Sequence, residues 1–190
     1  SGGAQGGYIL LGLAALDSAA YAAASYYAIA YLALMLLCFL VVIELGRTRH
    51  GVRADGSTDN SLPIDALGGL YSRSPWLALA LMIGLLGLAG VPPTAGFSGK
   101  WFLFKAILDQ GGFWWVLIAG INNTIAVYYY LVVLKAAYVT PAADGATAIE
   151  TSLWPRALTL SVGLGVVVLG IAPQIIMPTL QAAVSAMIGS

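Results

Sequence analysis

The chain has 190 residues, of which 60% are hydrophobic and only 8% charged, and its eight Lys plus Arg balance eight Asp plus Glu. A soluble globular domain carries roughly 25% charged residues, so this composition excludes a soluble monomer. It also excludes a disordered chain, which needs low hydrophobicity and high charge, and it offers no basic stripe for nucleic acid. A mean hydropathy of +0.90 points to one integral membrane domain over residues 1–190.

The first apolar run, Tyr8 to Leu16, reaches back to Gly3 at most. At ~1.5 Å per residue that is roughly 20 Å, short of the ~30 Å hydrocarbon core. The chain starts at Ser1 without Met, and the expectation is that a preceding polypeptide completes this region. Asp17 and Ser18 interrupt the pattern, and Ala19 to Leu45 is long enough to span with tilt. Arg47 to Arg73 reads as a polar loop with His50, Asp55, Asp59, Asn60 and Pro63. Pro75 suits the first turn of a helix, Trp76 an interface, and Leu77 to Ala89 a third span.

A short fourth run, Thr94 to Leu108, ends at Asp109 to Gly112. The fifth runs from Phe113 to Tyr138, a polar loop with Asp144 and Glu150 follows, and the sixth covers about Trp154 to Ile171. Pro173 and Pro178 interrupt the tail, and Leu180 to Ile188 reads as a surface helix. The expected fold class is all-α and integral to a membrane, with about six transmembrane helices, the fourth of them, Thr94 to Leu108, discontinuous.

The lone Cys38 lies in an apolar run and reads as an inert buried thiol. One His without Cys partners does not make a metal site. No phosphate-loop or dinucleotide motif is present.

Between the third and fourth runs the pattern departs from membrane filler. Pro92 and Pro93 lack amide donors and disfavour helix, and Gly96 and Gly99 loosen the backbone. These four are the expected helix break. Lys100 follows, among Phe97, Trp101, Phe102 and Phe104. A Lys at the centre of a span costs about 2.5–3.5 kcal/mol. Such a Lys can exchange its proton when a neighbouring charge changes, which makes Lys100 the candidate proton relay. The alternative is a Lys that snorkels to the interface, a role better suited to Lys105, next to Asp109. Thr94, Ser98, Asn122, Asn123, Tyr128, Tyr129 and Lys135 are candidates to line a proton path, although helix-to-helix hydrogen bonding, an aromatic layer or, for Lys135, snorkelling accounts for each singly. Glu44 beside Arg47 reads as an interfacial ion pair.

The stretch Leu88-Ala-Gly-Val-Pro-Pro-Thr-Ala-Gly-Phe-Ser-Gly-Lys-Trp-Phe-Leu-Phe104 resembles the signature of the antiporter-like subunits of respiratory complex I, the N type in particular (the type of mitochondrial NADH dehydrogenase subunit 2). Gly7-Tyr-Ile-Leu-Leu-Gly12 and Tyr128-Tyr-Tyr-Leu-Val-Val-Leu-Lys-Ala-Ala-Tyr138 resemble two further segments of that family. The resemblance implies a 14-helix antiporter-like fold with two inverted five-helix repeats. This chain would supply the second repeat and the last helix, and a preceding polypeptide the rest. It aligns Lys100 with the proton-channel Lys of a broken helix. It implies a proton-translocating, non-redox subunit of NADH:ubiquinone oxidoreductase, an enzyme of the respiratory electron-transport chain. NADH, FMN, iron–sulfur clusters and quinone would belong to other subunits, with no cofactor or metal in this chain. The implied partners are other membrane-arm subunits and membrane lipids, with no nucleic acid. The location is the mitochondrial inner membrane or the bacterial cytoplasmic membrane. Ser1 to Gly6 and Val132 depart from the family pattern, the latter standing where an Arg is frequent. Four of the eight cations lie in Arg47 to Arg73, which the charge bias would place inside, whereas the resemblance implies outside. The alternatives are a subunit of a Mrp-type sodium/proton antiporter, a membrane-bound hydrogenase subunit, or a structural half-subunit needed only for assembly.

Overall fold

The computed structural model describes residues 2–48, 64–142, 148–149 and 152–188. The expected features at Ser1, at His50 and its neighbours from 49 to 63, and at Asp144 and Glu150 lie outside these residues. Among the described residues the secondary structure is helical throughout. Helix α1 covers Gly2–Ala14, α2 Ser18–Thr48, α3 Leu70–Arg73, α4 Pro75–Ala89, α5 Ala95–Asp109, α6 Phe113–Tyr138, α7 Leu153–Ile171 and α8 Met177–Ile188. Single 3₁₀ turns lie at Ile64–Leu67 and Pro173–Ile175. Three helices among the described residues, α2, α6 and α7, are long and apolar enough to cross a membrane.

Local chemistry sets the boundaries. The Asp17 carboxylate accepts the amides of Ala19 (3.0 Å) and Ala20 (3.2 Å) and so caps α2. Pro75 opens α4, where its missing N–H costs nothing. Gly90 closes α4 in the left-handed region (φ 85°). Its amide returns to Gly87 O (3.0 Å), while the Val91 amide returns to Leu86 O (2.9 Å), a paired helix stop that a glycine permits without strain. The segment expected to be a loop up to Arg73 contains α3. Leu70 is fully buried there, and Gly69 N donates to Thr140 O (2.8 Å), so apolar burial overrides the local polarity.

The placement of α4 and α5 is the main architectural finding. Where a Cβ at Gly84 would meet Cys38, one at Gly87 would meet Leu34, one at Gly96 Leu34 again, and one at Gly99 Tyr27. The contacts therefore descend α2 steadily from its C-terminal to its N-terminal half. At 31 residues, α2 is about 46 Å long, enough for α4 and α5 end to end. The two runs read as the third and fourth spans are thus the halves of one interrupted crossing element, broken at 90–94. Pro92 and Pro93 lie in the break; the bond between them is cis. Gly96 and Gly99 do not: they lie inside the continuous α5. Their role is close approach to α4 and α2, because lipid offers no hydrophobic drive between helices and small residues allow contact.

The break separates two apolar clusters. One joins Leu34, Leu37, Val41, Leu77, Leu81, Leu88 and Val166 from α2, α4 and α7. The other joins Tyr8, Ala24, Tyr27, Leu103, Ile107 and Ala119 from α1, α2, α5 and α6. The tail helix α8 starts at Met177, three residues before the expected start, and lays Met177 and Leu180 against Tyr26 and Ala30 of α2. At the far end of the bundle, Arg156 stands 5.9 Å from the centre of the Trp76 ring, and Glu44 pairs with Arg47 at 3.3 Å.

Candidate functional site: a lysine at the end of an interrupted helix

A helix leaves its last four carbonyls without partners inside the helix. In α4 these belong to Leu86, Gly87, Leu88 and Ala89. The first two accept the amides of Val91 and Gly90. The last two take side chains from other elements, since Pro92 and Pro93 have no amides to give. Lys100 Nζ donates to Leu88 O at 2.7 Å, and Gln5 Nε2 donates to the same oxygen at 3.2 Å. Asn123 Nδ2 donates to Ala89 O at 3.0 Å. All four carbonyls are thereby satisfied, and the missing backbone donors are replaced by an ammonium and two amides.

Lys100 reaches this position from α5 by folding back over Gly90, where a Cβ would come within 3.0 Å of its Cδ. It is 5% exposed. Nζ also donates to Asn123 Oδ1 at 2.5 Å and stands 5.5 Å from the centre of the Tyr8 ring. Among the described residues no carboxylate pairs with it. Its charge is met instead by the negative end of the α4 dipole, by one amide oxygen and by a ring face. The network continues beyond it: Gln5 Nε2 donates to the Tyr130 hydroxyl at 3.3 Å, and the Tyr27 hydroxyl donates to Gln5 Oε1. Tyr8 donates to Ala119 O at 3.1 Å. The polar layer thus joins α1, α2, α4, α5 and α6 between the two apolar clusters.

Of the residues picked out in the sequence as path-lining, the structure brings only Asn123 to Lys100. The Thr94 hydroxyl turns back to Val91 O (2.7 Å) within the break. Ser98 donates to Gly170 O of α7 (2.6 Å). Asn122 is exposed beside the Tyr8 ring system. Tyr128 and Tyr129 face outward, 66% and 62% exposed, and Lys135 is exposed near the end of α6. An α-helix turns 100° per residue, so in the run Tyr128 to Tyr130 only Tyr130 points inward. Gln5, Tyr8 and Tyr27 were not picked out. The one available signal was Gln5, an amide in an otherwise apolar helix that needs a buried partner.

The family model described as "NADH:quinone oxidoreductase/Mrp antiporter, TM" matches residues 1–126. The chain is 40% identical over 185 residues, 97% of its length, to NADH-quinone oxidoreductase subunit N 2 of Syntrophobacter fumaroxidans. It is 38% identical over 173 residues, 90% of its length, to the subunit N 2 of Solidesulfovibrio magneticus. It spans 37% and 34% of those relatives, a little over a third of each. Among solved structures it superposes on a chain of respiratory complex I from Thermus thermophilus with bound aureothin, with a TM-score of 0.59 at 26% identity, covering 93% of this chain and 44% of that one. It shares the fold of a chain of the Mrp complex from Dietzia sp. DQ12-45-1b, with a TM-score of 0.73 at 20% identity, covering 95% of this chain and 40% of the other.

Proposed function

The chain belongs to the NADH:quinone oxidoreductase/Mrp antiporter transmembrane family, and within it we propose that it acts as a proton-translocating N-type subunit of a complex I, with Lys100 as the group that holds and passes the proton. It is an integral membrane protein, and in this reading it works beside other membrane-arm subunits, lipids and a polypeptide supplying the preceding helices of the same fold. NADH, FMN, iron–sulfur and quinone chemistry belong to other subunits of the enzyme. The match to subunit N sequences over nearly the whole chain favours this over the Mrp reading, for which the likeness is one of fold.

The observation that carries the proposal is the environment of Lys100: buried, without a carboxylate partner among the described residues, and held by two oxygen acceptors at the end of a broken helix. An ammonium has three N–H donors and a neutral amine two. Two acceptors plus a ring face serve both forms, so the proton can leave without stranding a buried donor. A paired carboxylate would fix the charge instead.

The test is proton pumping by the reconstituted assembly. Lys100→Met removes the titratable group at similar volume, and Lys100→Arg keeps a charge that holds its proton throughout the physiological range. Both are expected to abolish most of the pumping while the subunits still co-purify. Normal pumping by Lys100→Met would refute the assignment. Co-purification of flavin and iron–sulfur subunits checks the complex I setting, and Mrp subunits in their place would overturn it.

A further inference from the structure

The C-terminal end of α7 meets the break from another side. Gly170 lies so close that a Cβ there would fall 2.0 Å from Pro93 O, 2.3 Å from the Thr94 carbonyl carbon and 2.7 Å from Ala95 N. All three are backbone atoms, which cannot swing aside as a side chain would. The last carbonyls of α7 are again partly served from outside. Ala172 N returns to Val168 O (2.8 Å), the Tyr26 hydroxyl of α2 donates to Leu169 O (2.6 Å), and the Ser98 hydroxyl of α5 donates to Gly170 O (2.6 Å). Tyr26 is in turn held edge-on against Phe102 of α5 at 5.8 Å. Two interrupted or ending helices, α4 and α7, therefore close on the first turns of α5. The α4 end takes Lys100; the α7 end takes Ser98, two residues earlier.

We infer that the end of α7 is a wedge that sets the position of the break, with Gly170, Ser98 and Tyr26 as positioning residues for Lys100. The physical link is α5 itself. Its first turns are fixed by the contact of Gly170 with Pro93 and Thr94 and by the Ser98 bond. A shift of that turn along α2 moves Lys100 Nζ relative to Leu88 O and Asn123, and an error near 1 Å at a reacting group can cost as much as about a hundredfold in rate. The inference rests on the proposed role of Lys100 only for its effect on transport; the wedge as a device of the fold stands on the contacts alone.

The experiment uses the whole assembly with substitutions in this subunit. Gly170→Ala forces the break to move, whereas Gly165→Ala, on the same helix with nothing within 4 Å of its added Cβ, does not. Gly170→Ala is expected to lower proton transport by roughly tenfold to a hundredfold and to displace its pH profile; Gly165→Ala leaves both unchanged. Among the described residues, the titratable side chains around Lys100 are Tyr8 from α1, Tyr27 from α2 through Gln5, and Tyr130 from α6, with none from α4. Hydrogen exchange at the amides of residues 95–98 should quicken in Gly170→Ala and not in Gly165→Ala. If the added methyl prevents assembly, the pair Tyr26→Phe with Ser98→Ala removes both donors without adding bulk, and Ser98→Thr with Tyr26 intact should rescue. Wild-type transport, pH profile and exchange in that pair, or in an assembled Gly170→Ala, overturn the wedge. Should Lys100→Met pump normally, the role of Lys100 fails by itself, and hydrogen exchange still decides the wedge.

Discussion

Lys100 and Lys105 lie five residues apart on one helix and meet opposite fates. Lys100 is 5% exposed and spends its donors on a helix end and an amide. Lys105 has a side chain 64% exposed and pairs with Asp109 at 2.8 Å, one turn on. Five residues at 100° each turn the second lysine to the far side of α5, where Phe97 and Trp101 also look outward, stacked 6.3 Å apart. The inner lysine is placed by tertiary structure from four other helices. The outer one is placed by its own helix. Substitutions around the first should therefore propagate into fold and transport, and those around the second should stay local.

The largest effect is expected at Gly96. A Cβ there would stand 1.9 Å from Gly87 O, across the break from α5 to α4. Relief would require parting the two half-helices or pushing α5 off Leu34. Overpacking of this kind costs about 1–3 kcal/mol, and more where backbone meets backbone. Gly96→Ala should cut the yield of assembled complex and lower its thermal midpoint; a variant that assembles at wild-type yield and temperature would show that the halves are less tightly joined than described.

Next comes Asn123, which accepts from Lys100 and donates to Ala89 O. Asn123→Leu leaves a buried ammonium short of an acceptor and a carbonyl without a donor, at about 1–3 kcal/mol for each stranded group. Proton transport should fall by roughly tenfold or more on that scale. Asn123→Asp sharpens the comparison with the outer lysine, because it gives Lys100 the carboxylate that Lys105 already has. Tighter pairing should hold the proton and slow transport, at the cost of one stranded carbonyl, Ala89 O, rather than of both groups. Transport as fast as wild type in both variants would remove Asn123 from the site.

Much of this is legible in the amino-acid sequence. The α6 limits follow from an apolar run between Gly112 and Val139, and the interruption from two adjacent prolines. Lys100 stood out because a cation in a span is costly. Two features were not legible. Gly96 and Gly99 look like helix breakers locally, yet their effect is decided by α4 and α2 pressing on them, and sequence spacing does not reveal that contact. Nor could the partners of Lys100 be read fully, since one of them is a main-chain carbonyl, Leu88 O, which every residue possesses and which becomes available only because Pro92 lacks an amide. The partner of Ser98, a candidate to line the path, was hidden for the same reason: it is also a backbone oxygen, 72 residues away in α7.

Gln5 offers a finer test of how far the inner site extends. It shares Leu88 O with Lys100 and links to Tyr130 and Tyr27. Gln5→Leu removes that link but leaves both acceptors of Lys100 in place. Stability should drop by about 1–3 kcal/mol, mainly from stranding the Tyr27 hydroxyl, with transport reduced less than in Asn123→Leu. Adding Tyr27→Phe removes the stranded donor and should recover part of the stability, as measured by thermal unfolding of the assembly. No recovery would mean that Gln5 acts elsewhere.

The smallest effect belongs to the outer lysine. Lys105→Met deletes an exposed i,i+4 ion pair, the kind worth about 0.3–0.5 kcal/mol and screened by salt. Asp109 left alone sits in the last turn of α5, where an unpaired negative charge adds a slight penalty against the negative end of the helix. Lys105→Met should therefore lower the thermal midpoint only slightly, and the difference should shrink as salt is raised. Asp109→Asn in the Lys105→Met background should restore the midpoint, because the remaining charge is gone. Proton transport should match wild type in both. If Lys105→Met instead impairs transport as much as Lys100→Met does, the contrast between the two faces of α5 collapses, and the proton path runs along the outer face of the helix.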